Sequence, residues 1–338
     1  MRILITGGAG FIGSNLIIHI HNHYPDIEIY NVDKLTYASD IGYLSGLKNS
    51  KRYHFKKLDL VDRKDVRKAV RSWKPEAVMH LAAESHVDNS IKGPEPFVLS
   101  NVVGTFNVLE ECRQLWKEKS SRSGLKRFLH VSTDEVYGTL GVDGYFTEKT
   151  PYAPNSPYSA TKAGSDHLVR SYFHTYAMNT VITNCSNNFG PHQHDEKLIP
   201  TVIRHALNHE PIPVYGKGEN VRDWLFVEDH CEALMKVLLK GRSGESYNIG
   251  GDNEWKNIDL VNMICEILNE ENGDGPEGDY KNLISFVTDR PGHDYRYAID
   301  AGKIKNELEW SPAADFKELL RKTVHWYMDK FEKKLIEN

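Results

Sequence analysis

Four cysteines in 338 residues, at positions 112, 185, 231 and 265, are too widely spaced to form a C-x-x-C pair. They read as reduced thiols of a cytoplasmic protein, not as a disulfide frame or a zinc site. The 16 histidines are scattered without an H-E-x-x-H, so no metal is expected. No apolar run approaches the roughly 18 residues of a membrane-spanning helix. No signal-peptide pattern precedes the first strand, so a cytoplasmic location with no membrane partner is expected. Positive charge is also short: 42 Lys and Arg stand against 47 Asp and Glu, a net charge of −5. Nucleic-acid binders are more often basic, so nucleic acid is not an expected partner. Any anionic ligand must be met by local cations and backbone amides. Internal repeats and low-complexity tails are missing too. What remains is an ordinary globular composition, 40% hydrophobic and 26% charged, and long enough for one large or two modest domains.

The first ninety residues alternate strand and helix signals. Strand Arg2 to Thr6 runs into Gly7-Gly8-Ala9-Gly10-Phe11-Ile12-Gly13, then an apolar helix through Leu16, Ile17 and Ile20. A second strand, Glu28 to Val32, ends at Asp33, 20 residues after Gly13. Gly7, Gly10 and Gly13 are side-chain-free positions where a pyrophosphate can approach the backbone and the helix N-terminus. Asp33 stands where an acid takes the ribose hydroxyls, and it should repel a 2′-phosphate. NAD is therefore expected over NADP, although Lys34 beside it acts against that preference. Tyr53 to Leu58 reads as a strand ending at Asp59-Leu60, a candidate adenine contact. Asp62 to Trp73 reads as a helix and Ala77 to Leu81 as the next strand. Ala82 and Ala83 are small enough for a cofactor to lie against the chain there. Glu84, His86 and Asp88 fit either a solvated loop or a site.

The apolar run Phe128 to Val131 leads into Ser132-Thr133-Asp134-Glu135-Val136-Tyr137-Gly138. In an open parallel sheet such an ending faces the ligand. Taken alone, the adjacent carboxylates read as a solvated turn. Consecutive strand residues point to opposite faces, so both can serve one site only if the backbone turns at 133–136. Asn101 to Trp116 and Tyr158 to Tyr176 have helical spacing. Ser156 suits the cap of the second helix and Pro157 its first position. Tyr158 and Lys162 then share one face, and an ammonium near a phenol favours the phenolate, giving a base for an alcohol. After a dinucleotide half, that pairing carries weight it lacks alone.

Val181 to Cys185 reads as a further strand, and Ser186 to Pro191 as its break. Beyond it the βα rhythm loosens, and Lys197, Arg222, Arg290, His293 and Arg296 are expected in loops, where they could neutralise a diphosphate. Gly273 to Gly278 reads as a loop. A final helix from Asp315 has an apolar stripe at 316, 320, 324, 327, 331 and 335, expected to be core packing.

Taken together, His80-Leu-Ala-Ala-Glu-Ser-His-Val-Asp88, Ser132-Thr-Asp-Glu-Val-Tyr-Gly138, Asn184-Cys-Ser-Asn-Asn188, Asp289-Arg-Pro-Gly-His293 and the Tyr158/Lys162 pair resemble the extended short-chain dehydrogenase/reductase family over nearly the whole chain. Thr133-Asp134-Glu135 is similar to its nucleotide-sugar dehydratases, whose epimerase relatives carry small or hydroxyl residues there. Three departures stand out: Asn89 for a usual Arg, Ser39-Asp40 for Gly-Asn, and Thr161 for Ser.

The resemblance implies a Rossmann-type, doubly wound parallel α/β sheet over residues 1–186. A smaller, mixed α/β substrate domain follows over 187–338, with segments such as 223–250 returning to the first. It implies a homodimer paired through the helices near 101–117 and 157–177. It implies tightly bound NAD contacted by Phe11, Ile12, Lys34, Leu35, Thr36, Leu81, Ser100 and Asn188 besides the residues above. The substrate implied is a nucleoside-diphosphate hexose, dTDP-glucose, converted to its 4-keto-6-deoxy form with loss of water. Ser85, Thr133, Asn187, Lys197, Leu198, Pro213, Tyr215, Arg222, Asn257, Arg290 and His293 would bind it. Tyr158 with Lys162 would take the 4-hydroxyl proton while Thr133 bonds the same oxygen. Glu135 would remove the C5 proton, and protonated Asp134 would donate to the departing 6-hydroxyl. A 4-epimerase, a decarboxylase and a non-catalytic NAD sensor remain as alternatives.

Overall fold

The computed structural model describes residues 1–118, 124–273, 275, 278–289, 293–313 and 315–337. Its main sheet begins with β1 (Arg2–Thr6), the helix α1 (Phe11–His23), β2 (Glu28–Asp33), β3 (Tyr53–Lys57), α2 (Arg63–Trp73) and β4 (Ala77–His80). Short helices α3 (Val87–Lys92) and α4 (Glu95–Phe97) lead to α5 (Thr105–Glu118), then β5 (Arg127–Thr133), α6 (Pro157–Tyr176) and β6 (Thr180–Cys185). After β7 (Asn187–Phe189) come α7 (Leu198–Leu207), β8 (Ile212–Tyr215), β9 (Val221–Phe226), α8 (Val227–Lys240), β10 (Ser246–Ile249), β11 (Glu254–Lys256) and α9 (Asn257–Asn272). Finally β12 (Ile284–Val287), α10 (Gly302–Leu308) and α11 (Phe316–Glu337) complete the order.

Seven strands form one parallel sheet in the order β10-β6-β5-β4-β1-β2-β3. Both faces are covered, which is why the strands read as continuous apolar runs. Ile3 and Ile5 of β1 point into a core with Leu16, Ile17 and Ile20 of α1, Leu234 and Leu238 of α8 and Ile304 of α10. Leu4, between them, faces the opposite core with Val66 and Val70 of α2, Leu109 and Leu115 of α5 and Val169 of α6. Each such buried aliphatic side chain contributes about 1.5–3 kcal/mol. The strand order reverses between β1 and β4, and ligands bind beyond the carboxyl ends of such a switch point. The doubly wound α/β sheet expected from the sequence is therefore present.

The smaller, mixed part packs α7, α9 and α11 against a three-stranded sheet, β11-β9-β7, and a parallel pair, β12-β8. Its core holds Phe189, Ile203, Val214, Trp224, Ile264 and the stripe Phe316, Leu320, Val324, Tyr327 and Phe331 of α11. Leu335, the last position of that stripe, lies among residues whose side chains are outside the described set. The chain returns from β9 into α8, whose Leu234, Met235 and Leu238 lie in the core under β1.

Three expectations shift. Residues 98–104 wind as a π-helix before α5. The cause is Asn101, which turns inward to accept from Glu84 N and donate to Thr161 Oγ1. Residues 187–189 form β7 against β9 instead of a simple break. Arg222 lies on β9, not in a loop. Only Gly273, Gly275 and Gly278 of the glycine-rich run at 273–278 are described, and the last two bridge each other. Among the described residues no helix is long and apolar enough to cross a membrane, and no side-chain cluster suits a metal ion. All four cysteines are free and buried.

Candidate active site

Beyond the carboxyl ends of β1, β2, β4, β5 and β6 lies a cleft of about 300 Å³. Its floor depends on two glycines. Gly7 has φ +74°, and a Cβ there would stand 2.7 Å from the Ala82 backbone. A Cβ on Gly13 would stand 2.2 Å from Gly7 O, so only glycine lets α1 close onto β1. Gly10 differs: its missing Cβ faces open space, with only Gly7 O nearby at 3.3 Å. It occupies the N-cap of α1 without a capping side chain, and no acidic residue follows in the first turn. The first amides of α1 are left for an anion, a fit for the diphosphate of a dinucleotide.

Asp33, 6% exposed, is fixed at the end of β2 by Ala9 N at 3.0 Å, Leu35 N at 2.8 Å and Ser39 Oγ at 3.2 Å. A carboxylate has about four acceptor directions, so one remains for a ribose hydroxyl. Lys34 does not neutralise it: its ammonium sits 2.7 Å from Glu84 Oε1 and donates to Ser100 Oγ. The departures from the family pattern also find roles. Ser39 is the third donor to Asp33, and Asp40 caps the 3₁₀ helix Ile41–Leu47. Asn89 donates to Tyr37 OH at 2.9 Å.

The turn required of residues 133–136 exists. β5 stops at Thr133, which caps a 3₁₀ helix, Asp134–Tyr137, by accepting from Glu135 N. Leaving the strand cancels its alternation, and Thr133, Asp134 and Glu135 all line the cleft. Asp134 is 2% exposed; Thr133 Oγ1 donates to its Oδ1, while Oδ2 has no hydrogen-bond partner among the described residues. Burial, then the neighbouring Glu135, pushes its carboxyl well above the usual range. The pair thus contains a carboxyl that holds its proton more tightly than usual, as an acid requires.

Helix α6 starts with the expected Ser156 cap, elaborated into a reciprocal capping box with Ser159. Tyr158 and Lys162 both line the cleft. Burial first and Glu135 second raise the Tyr158 phenol, against a hydrogen bond from Thr133. Burial lowers Lys162, whose ammonium donates to Val131 O at 2.8 Å. In this state the phenol holds its proton, so lowering by Lys162 alone does not describe the pair.

Of the residues expected at the cofactor, all but Leu35 line this cleft: Phe11, Ile12, Thr36, Asp59, Leu60, Leu81, Ala82, Ala83, Ser100 and Asn188 join those above. Leu35 is a backbone contributor, with φ +58° and its N–H on Asp33. Ser85, Asn187 and Lys197 also line the cleft, and Lys197 Nζ donates to Ser85 O. Of the other residues expected at the nucleotide end, those that are described stand outside its wall. Leu198 opens α7, Pro213 and Tyr215 lie on β8, and Asn257 opens α9. Tyr215 meets His293 edge to face, and His293 contacts Asp289 at 2.6 Å. Arg222, 5% exposed, stacks over Tyr297 at 4.3 Å and donates to Val221 O and Asp294 O. Arg290 lies outside the described residues. Arg296, expected among the loop cations for a diphosphate, is paired with Glu254 at 2.6 Å.

The chain is similar to known proteins over nearly its whole length. The family model described as GDP-mannose 4,6 dehydratase matches residues 4–323. A dTDP-glucose 4,6-dehydratase of Neisseria meningitidis serogroup B is 53% identical over 97% of this chain and 93% of its own. One from Escherichia coli is 52% identical over 98% and 95%. The crystal structure of dTDP-glucose 4,6-dehydratase from Bacillus anthracis in complex with NAD superposes with a TM-score of 0.86, at 42% identity, covering 98% of both chains. The chain belongs to the dTDP-glucose 4,6-dehydratase family. The expected membership of the extended short-chain dehydrogenase/reductases holds with it.

Among the cleft-lining residues of this dTDP-glucose 4,6-dehydratase family member that sequence reasoning did not assign to the site, one cluster is polar. Gln193, His194 and Glu196 line the cleft from the loop after β7. A His-x-Glu pair shortly after a strand end was the available signal. Glu84 and His86 are not solvated: Glu84 holds Lys34, and His86 caps α3 and lies 3.6 Å from Glu196.

Proposed function

We propose that this chain is a 4,6-dehydratase that converts dTDP-glucose into dTDP-4-keto-6-deoxyglucose and water with NAD. The carrying observation is the 3₁₀ turn at Asp134–Tyr137, which puts a buried carboxyl, pushed up by burial and by Glu135, and a second carboxyl in one cleft with Tyr158. An epimerase, which leaves C6 oxygenated, has no use for that acid.

Gly7, Gly10, Gly13 and Asp33 would hold the cofactor, and Asp33, with Lys34 paired to Glu84, supports NAD over NADP. When bound, NAD⁺ supplies a positively charged ring that accepts hydride from C4 and returns it to C6. Tyr158 would take the 4-hydroxyl proton, with Lys162 one helical turn away on the same face of α6 as the cation that must favour its phenolate during turnover. Thr133 bonds the same oxygen and keeps the new carbonyl polarised. That ketone acidifies the C5 proton, which Glu135 removes. Asp134 gives its proton to the 6-hydroxyl, which leaves as water, and Glu135 returns a proton to C5. Asn188 would lie by the nicotinamide, and its Oδ1 is held by His230 at 2.8 Å. The nucleotide end falls to Ser85, Asn187, Lys197, Leu198, Pro213, Tyr215, Arg222, Asn257, Arg290 and His293. This gives residues 1–186 the cofactor and 187–338 the nucleotide sugar, with α8 and β10 returning to the first.

Four free, buried cysteines suit the reducing cytoplasm. Exposed Ile91, Val98 and Leu99, on the segments leading into α5, support a homodimer built on that face. The test is Glu135→Gln in D₂O. The wild type should place solvent deuterium at C5 of the product, and the variant should lose it; full incorporation in the variant removes Glu135 from the mechanism.

A further inference from the structure

Behind the Tyr158/Lys162 pair lies a carboxylate that the proposed mechanism does not use. Asp166 is 1% exposed and sits one turn after Lys162 on α6. One of its oxygens, Oδ2, collects Ser132 Oγ at 2.7 Å, Tyr152 OH at 3.0 Å and Asn184 Nδ2 at 3.5 Å. Ser132 immediately precedes Thr133, and Asn184 also donates to Thr133 O at 3.2 Å. The carboxylate is thus a hub joining the ends of β5 and β6 to α6.

A buried anion needs a cation. His130 Nε2 approaches Oδ1 at 3.1 Å, but burial, then Lys162, holds that imidazole well below its usual range, so it is neutral. Among the described groups facing Asp166, the cation is Lys162, which burial lowers and Asp166 raises. The other titratable groups that face it are Tyr137 from the 3₁₀ turn and Tyr152 from the loop before α6. Cys185 of β6 faces Lys162 instead.

We infer that Asp166 is a positioning residue: a fixed anion that keeps Lys162 a cation beside Tyr158 and ties the Thr133–Glu135 turn to α6. The inference rests on the reading of Tyr158 and Lys162 as the base pair. Asp166 itself is pushed up to about 6, by burial first, so it is ionised at and above neutral pH, where Lys162 needs it.

The test compares the kcat–pH profile of the holoenzyme with those of Asp166→Asn, Asp166→Glu and Lys162→Ala, using dTDP-glucose. A unit charge one helical turn away, at an effective dielectric of about 20, shifts a pKa by about two units. Asp166→Asn should therefore move the alkaline limb down by about two pH units, and Asp166→Glu should restore it. A profile lowered uniformly, with the limb unmoved, shows a merely structural residue and overturns the inference. If Lys162→Ala keeps the full rate, the base-pair reading itself falls; if it is inactive while the Asp166→Asn limb stays in place, only this inference falls. Should Asp166→Asn not fold, Tyr152→Phe removes one donor from the same oxygen. The acid limb should then rise by about one pH unit, and an unmoved acid limb overturns the inference.

Discussion

Asp134 spends stability on chemistry. Its carboxyl is buried with one oxygen unpartnered among the described residues, and its folded pKa is raised by burial and Glu135. Between the ordinary carboxylate value of about 3.9 and that raised value, the unfolded chain releases the proton while the folded one keeps it. Stability therefore falls as pH rises through that window. Asp134→Asn removes this slope and should raise the thermal midpoint at neutral pH by on the order of 2 °C in calorimetry. The same variant should slow dehydration by about 10²–10⁴-fold, the usual contribution of a general acid, while still oxidising C4 in a single turnover followed by absorbance. Tyr158→Phe should instead abolish that first oxidation. At this scale the residue types and spacings were legible: the acid pair, Tyr158 with Lys162, and Asp33. A protonated Asp134 was expected from the family resemblance, but burial was not legible, so neither its 2% exposure nor the Glu84 partner of Lys34 could be read from the chain.

At the scale of elements, local signals were strongest where geometry is forced. The cap at Ser156 and the glycines after β1 declared themselves because a capped helix start and a tight βα turn tolerate few residues. Ser156→Ala should cost about 1 kcal/mol, read from the denaturant midpoint, because the capping box satisfies orphan amides of α6. Gly13→Ala is harsher: its Cβ meets Gly7 O at 2.2 Å, so α1 must shift. A loss of about 1–3 kcal/mol is expected, along with loss of NAD through gel filtration. The π-helix at 98–104 escaped sequence reasoning because its cause is tertiary: Asn101 reaching Glu84 and Thr161, far along the chain. Strand β7 escaped for the same reason, since three residues become a strand only when β9 lies beside them.

For the whole molecule, the alternation of strand and helix announced the doubly wound sheet, and the loosened rhythm after Cys185 announced a different second part. The crossing back through α8 and β10 was less legible, because a parallel strand four residues long carries no mark of its neighbour. For the proposed homodimer, Val98→Asp with Leu99→Asp should lower the sedimentation coefficient toward that of a monomer, leaving far-UV circular dichroism unchanged. In the proposed reaction one cleft oxidises, dehydrates and reduces a single hexose. Its most direct test is incubation of the purified protein with dTDP-glucose in D₂O, followed by mass spectrometry and NMR of the product. The expected product is lighter by one water, with deuterium at C5 and a methyl group at C6. A product isomeric with its substrate and still hydroxylated at C6 would contradict it.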